Sequence, residues 1–92
     1  MNYYVYLLIS TDSKKLISYV GYTNNLKKRL ILHNNGTGAK FTRGRKWEII
    51  YKRKYNNKSK AIKEEYKLKK NYNLRNEIKK QFLKKWICLK KE

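Results

Sequence analysis

The chain has 92 residues, with 25 Lys and Arg against 6 Asp and Glu, a formal charge of +19. That length holds one modest core and no second domain, and 40% apolar residues with nine Tyr and two Trp argue for one folded domain over 1–92 rather than a disordered basic tail. No apolar run reaches the roughly 18 residues of a membrane span, and MNYYVYLL lacks the basic start of a cleaved secretory signal. Cys88, without a second cysteine, can form no internal disulfide, which suits a reducing cytoplasm. The charge points to a polyanionic partner. Solubility alone needs a much smaller excess. Nucleic acid is favoured over an anionic membrane surface, because counterion release drives its binding to lysine-rich surfaces.

Residues 3–9, YYVYLLI, predict a strand ended by the turn residues Ser10-Thr11-Asp12-Ser13. LISYVGY (16–22) predicts a second strand, so the two form an antiparallel hairpin. Both are apolar at nearly every position, as in a sheet covered on both faces or a strand central in its layer. Thr23 or Asn24 is expected to cap a helix through LKKRLILHNN, which Gly36 stops. A loop follows over 36–46, with three glycines and four basic residues, and then a third strand over 47–55. Asn57 or Ser59 opens a second helix through KAIKEEYKLKKNY, and Asn73 caps a third over about 73–90. In that last helix Leu74, Ile78, Phe82 and Trp86 form a stripe, with Leu83 and Ile87 beside them. The order β-β-α-β-α-α predicts a small α/β fold, a three-stranded mixed or antiparallel sheet flanked by helices.

Three groups of residues suggest chemistry. Ala61, Leu68 and Tyr72 share a helical stripe of which Glu65 is the fourth member, while Glu64 faces solvent among lysines. A carboxylate in an apolar stripe is paired, protonated or bound to a cation. Glu65 is therefore either a half of a buried ion pair with a lysine, or a metal ligand or acid/base group. Leu26 and Leu30 define the buried face of the first helix, and Arg29 and His33 lie together on its edge. That pair can grip a phosphate and move a proton, or simply be a solvated edge with a capping His. Tyr4 and Tyr6 share one face of the first strand, and Tyr19 and Tyr22 take opposite faces of the second. A hairpin turning about Asp12-Ser13 sets Tyr6 directly opposite Tyr19. Strand tyrosines also commonly serve packing alone. No phosphate-loop motif, paired carboxylate motif or His/Cys metal cluster is present.

Taken together, Tyr4-Val5-Tyr6, Tyr19-Val20-Gly21, Gly21 through Leu26, Arg29, His33, Gly36 through Gly38, Phe41-Thr42, and Ala61 through Glu65-Tyr66 with Lys69 resemble the GIY-YIG nuclease superfamily. The likeness covers residues 3–72 and is to its small stand-alone bacterial members, near the excision-repair nuclease N-terminal domain. Tyr4 replaces the first motif's Gly. Several family members carry an asparagine beyond the glutamate, and Asn71, Asn73 and Asn76 all lie near that place. The resemblance implies a divalent-metal-dependent endonuclease acting on DNA, with RNA also a candidate, in repair, recombination or processing. Glu65 would hold one Mg²⁺ or Mn²⁺, Arg29 would clamp the phosphate, and Tyr6 would be the general base with Tyr19 orienting it. His33 would be its proton partner or the alternative base. A phenol ordinarily titrates near ~10, and the cation and nearby lysines are expected to favour the phenolate. Lys28, Lys40, Arg43 and Arg45 would hold the strand, and a protein partner would supply any further targeting. The alternative class is a non-catalytic basic nucleic-acid-binding protein, which accounts for charge and aromatics only.

Overall fold

Residues 1–10 and 16–90 are described by a computed structural model, with side chains as far as residue 85. Strands β1 (Tyr3–Ser10), β2 (Ile17–Thr23) and β3 (Trp47–Tyr55) and helices α1 (Leu26–Asn34), α2 (Lys58–Lys70) and α3 (Tyr72–Lys90) follow in the expected order β-β-α-β-α-α. The fold is α/β, on an antiparallel three-stranded sheet ordered β2-β1-β3.

The central place of β1 explains its unbroken apolar run, because Val5 through Ser10 are all buried. Side chains alternate across a strand, and so β1 feeds two cores. Val5 and Leu7 pack with Val20, with Ala61 and Leu68 of α2, and with Ile78 of α3. Tyr6 and Leu8 pack on the opposite face with Trp47 and with Leu26 and Leu30 of α1. Each such apolar side chain contributes about 1.5–3 kcal/mol on burial, which anchors helices to both faces of a small sheet.

The hairpin register differs from the expected one. Tyr6 pairs with Gly21, and Tyr19 pairs with Leu8. The slip is by two residues, so Tyr6 and Tyr19 keep a common face but stand diagonally. The expected turn about Asp12-Ser13 lies outside the described residues, as do the side chains of Trp86, Ile87 and Cys88. On the other side of β1 the register shifts between Leu7 and Leu8, which pair with Tyr51 and Ile49. Ile50 is the extra residue of that bulge.

Asparagines set the helix ends. Asn25, rather than Thr23 or Asn24, caps α1 by accepting from the Lys28 N–H, while Thr23 Oγ1 accepts from the Asn25 N–H. Gly36, at φ 86°, takes the left-handed conformation just beyond the C-cap Asn35. Asn57 caps α2 as expected. The second helix stops at Lys70, because Asn71 both closes it and accepts the Leu74 N–H to open α3. Asn73 therefore lies inside α3, and Tyr72 leaves the α2 stripe to stand 63% exposed. Of the α3 stripe, Ile78 packs on the core, Phe82 and Leu83 are half-buried, and Leu74 is largely exposed.

Asn34 joins the end of α1 to the start of β3. Its Oδ1 accepts the Trp47 N–H at 2.6 Å and its Nδ2 donates to the Trp47 carbonyl at 3.2 Å. Trp47 is 3% exposed, so few alternative partners are available to its backbone. Asn34→Ala is expected to lower unfolding stability by about 1–3 kcal/mol, read as a lower urea midpoint at unchanged slope; an unchanged midpoint would remove the clip from the account.

Candidate active site

Tyr6, His33 and Thr42 form a buried chain of hydrogen bonds. The Tyr6 hydroxyl lies 2.8 Å from His33 Nε2, and His33 Nδ1 lies 2.9 Å from Thr42 Oγ1. Thr42 Oγ1 donates its only proton to the Ala39 carbonyl at 3.0 Å. With that proton on Ala39, Thr42 Oγ1 accepts from His33, an arrangement that puts the imidazole proton on Nδ1 and leaves Nε2 as a lone-pair acceptor. Tyr6 is accordingly the donor to His33. His33 and Thr42 are each 0% exposed, so a solvated edge with a capping histidine is not what α1 presents. His33 is the fully buried residue of that helix.

Two glycines make room for the chain. A Cβ on Gly21, the cross-strand partner of Tyr6, would collide with the Tyr6 hydroxyl and its Cζ. A Cβ on Gly38 would sit 2.6 Å from His33 Nδ1. Tyr19 leans on the His33 ring at 5.1 Å between centroids and 59° between planes. Trp47 Nε1 donates to the Thr42 carbonyl at 2.9 Å, fixing the loop that carries Thr42.

Arg29 approaches from one turn earlier in α1. Its Nη2 donates to the Gly38 carbonyl at 3.1 Å, and its Nε is buried with no hydrogen-bond partner. Arg29 also borders a cleft of ≈ 380 Å³ lined by Tyr3, Tyr22, Thr23, Asn24 and Lys58. Two cations, Arg29 and Lys58, bordering one cleft suit a phosphate group. Lys58 was not singled out from the sequence, because one lysine among so many carries no positional signal.

The electrostatics revise one expectation. Burial pushes the Tyr6 phenol up to about 12, against a hydrogen bond from Arg29 that lowers it, with the charges of Tyr19 and Glu65 raising it further. A resting phenolate is thus disfavoured, because desolvation outweighs the Arg29 guanidinium beside it. Burial, and then the charge of Arg29, hold His33 below its ordinary value, so the ring is neutral at pH 7.

The charge of Glu65 reaches the Tyr6 phenol only weakly, since α2 packs on the opposite face of the sheet through Ala61 and Leu68. The Glu65 side chain is 17% exposed and pairs with Lys69 Nζ at 3.1 Å, so the ion-pair alternative is realised. Glu64 is half-buried and pairs with Lys67 at 3.4 Å rather than standing free in solvent. No three His, Cys, Asp or Glu side chains gather among the described residues. A lone, partly buried carboxylate fits a hard divalent cation that keeps most of its waters, and not a cage of protein ligands. Lys28, Lys40 and Arg43 are exposed and Arg45 is half-buried.

Residues 2–80 match the profile described as the GIY-YIG catalytic domain. A UPF0213 protein of Oceanobacillus iheyensis is 50% identical over 68 residues, covering 73% of this chain and 76% of its own. One from Clostridium perfringens is 47% identical over 68 residues, covering 73% and 70%. The UPF0213 protein of Bacillus halodurans, whose solution NMR structure is known, is 35% identical, with 84% of this chain and 80% of that one covered at a TM-score of 0.48.

Because the folded state holds His33 neutral below its usual pKa, the unfolded chain binds the extra proton in acid. The stability contributed by the neutral ring is present above about pH 6.5 and is lost as the pH falls from there through the folded-state value. A series of urea melts should show that decline in the parent and a shallower one in His33→Gln; equal slopes would contradict a buried neutral imidazole.

Proposed function

The chain belongs to the GIY-YIG catalytic-domain family, and from that premise we propose that it is a single-domain, divalent-metal-dependent endonuclease that hydrolyses phosphodiester bonds in DNA. The observation that carries this is the buried Tyr6–His33–Thr42 chain beside an arginine with an unused donor. The excess of basic residues, 25 Lys and Arg, supports a polyanionic substrate. No helix among the described residues is long and apolar enough to cross a membrane. We place the protein in the cytoplasm, in DNA repair or processing, with RNA as a further substrate class and a protein partner for targeting.

The residues then divide the work. Tyr6 takes the proton of the attacking water as it passes its own to His33 Nε2. With its phenol at about 12, Tyr6 becomes a base only while that transfer proceeds. Thr42 holds His33 in the tautomer that can receive the proton. Tyr19 packs on the imidazole and keeps its plane. Arg29 meets the phosphate with its planar fork at the edge of the cleft it borders. Glu65 would hold one Mg²⁺ or Mn²⁺, which supplies charge neutralisation on the phosphate and the leaving oxygen. Lys69 must release the Glu65 carboxylate, or share it, for that to happen. Lys28, Lys40, Arg43 and Arg45 hold the flanking strand.

Single-turnover cleavage of a panel of labelled DNA and RNA structures with Mg²⁺ or Mn²⁺ tests this. Tyr6→Phe should slow the chemical step by roughly 10²- to 10⁴-fold with binding intact. Arg29→Ala should cost about 10²- to 10³-fold. Glu65→Ala should abolish cleavage while binding persists. A protein that binds every substrate yet cleaves none, at any metal concentration, is the basic binding module instead. Binding should also weaken steeply from low to physiological salt; a flat response would exclude a nucleic-acid partner.

A further inference from the structure

Phe41 is 56% exposed although its surroundings are fixed. The next residue, Thr42, is fully buried, bonded through its side chain to His33 and Ala39 and through its carbonyl to Trp47. The Phe41 ring stacks on Tyr19 at 6.1 Å and 23°, and Tyr19 in turn lies against His33. An aromatic file therefore runs from solvent to the buried proton acceptor. Phe41 and Tyr19 line a cleft of ≈ 340 Å³ at the β2 edge, with Ser18, Val20, and the cations Lys69 and Arg75. Arg75 Nε is buried without a hydrogen-bond partner, and the guanidinium lies 5.8 Å from the Tyr72 ring.

We propose that Phe41 is a stacking platform for one unpaired nucleobase, with Lys69 and Arg75, which line the same cleft, meeting the adjoining backbone. This rests on the nuclease reading and names its substrate more closely: the DNA is single-stranded, or unpaired, where it crosses the site. In a duplex both faces of each base are already stacked, so only an unpaired base offers its π-face to a protein ring. The cations explain why the occupant is a nucleotide rather than an apolar peptide side chain. The pinned loop explains why a phenylalanine stays exposed, since folding it inward would pull Thr42 off His33.

Binding is measured by fluorescence anisotropy in EDTA, where cleavage plays no part, with a labelled single-stranded DNA oligonucleotide and a blunt duplex of the same sequence. Phe41→Ala should weaken single-strand binding by roughly 5- to 150-fold, the value of one base stack, and leave duplex binding within a few-fold. Phe41→Trp should restore it. Phe41→Leu keeps apolar bulk without a π-face and should behave like the alanine variant, so a folding defect in one can be told from a stacking loss. Equal losses on both substrates, or none on either, would overturn the platform and leave the nuclease reading standing. Failure of the parent protein to bind either substrate would overturn both.

Discussion

Burying one imidazole between two hydroxyls is the constraint on which this structure turns. His33 is wholly excluded from solvent, and a neutral ring there needs one donor and one acceptor to satisfy its two nitrogens. Tyr6 and Thr42 are those partners. Because Thr42 spends its proton on Ala39, the direction of the whole chain is set by a backbone carbonyl in the loop. A packing requirement thus becomes a chemical polarity, with the phenol as donor and the imidazole as acceptor.

The remaining architecture keeps that arrangement in register. Placing β1 in the centre of the sheet buries Tyr6 without needing a large protein around it. Gly21 and Gly38 are required for the space they leave, since a methyl group at either would displace the Tyr6 or His33 ring. Asn34 ties the end of α1 to β3, and Trp47 ties β3 to Thr42. The loop over 36–46 is therefore held at both ends and in the middle, and the basic side chains it presents are displayed on a fixed frame. The same burial that orders the chain raises the Tyr6 phenol. Stability and base strength oppose one another at this residue, and the proton acceptor reconciles them.

Much of this was legible in the order of residues. Apolar runs rich in Val, Ile and Tyr place all three strands, and turn residues and helical stripes place the three helices to within a few residues, because these are local signals. Glu65 stood out as a carboxylate in an apolar stripe, and it is partly buried in an ion pair with Lys69. Three features were not legible. The hairpin register slipped by two, since strand parity is the same either way and the turn alone decides. Helix boundaries moved to Asn25 and Asn71, because neighbouring Asn and Thr residues compete equally as caps. Phe41-Thr42 belongs to the family pattern, but the bond Thr42 makes was hidden, for its partner is nine residues away and only the folded loop brings them together. A glycine inside the β2 pattern, Gly21, was the one available hint that a ring crosses a strand there.

The account stands on which ring nitrogen of His33 carries the proton. Long-range ¹H–¹⁵N correlation spectra of the imidazole, recorded on the intact protein near neutral pH, report this directly. A neutral ring protonated at Nδ1, with Nε2 showing the shift of an unprotonated acceptor, is the predicted result, and Tyr6→Phe should move the Nε2 signal. A ring protonated at Nε2, or a doubly protonated imidazolium, would reverse the hydrogen bond to Tyr6 and contradict the assignment of His33 as its proton acceptor.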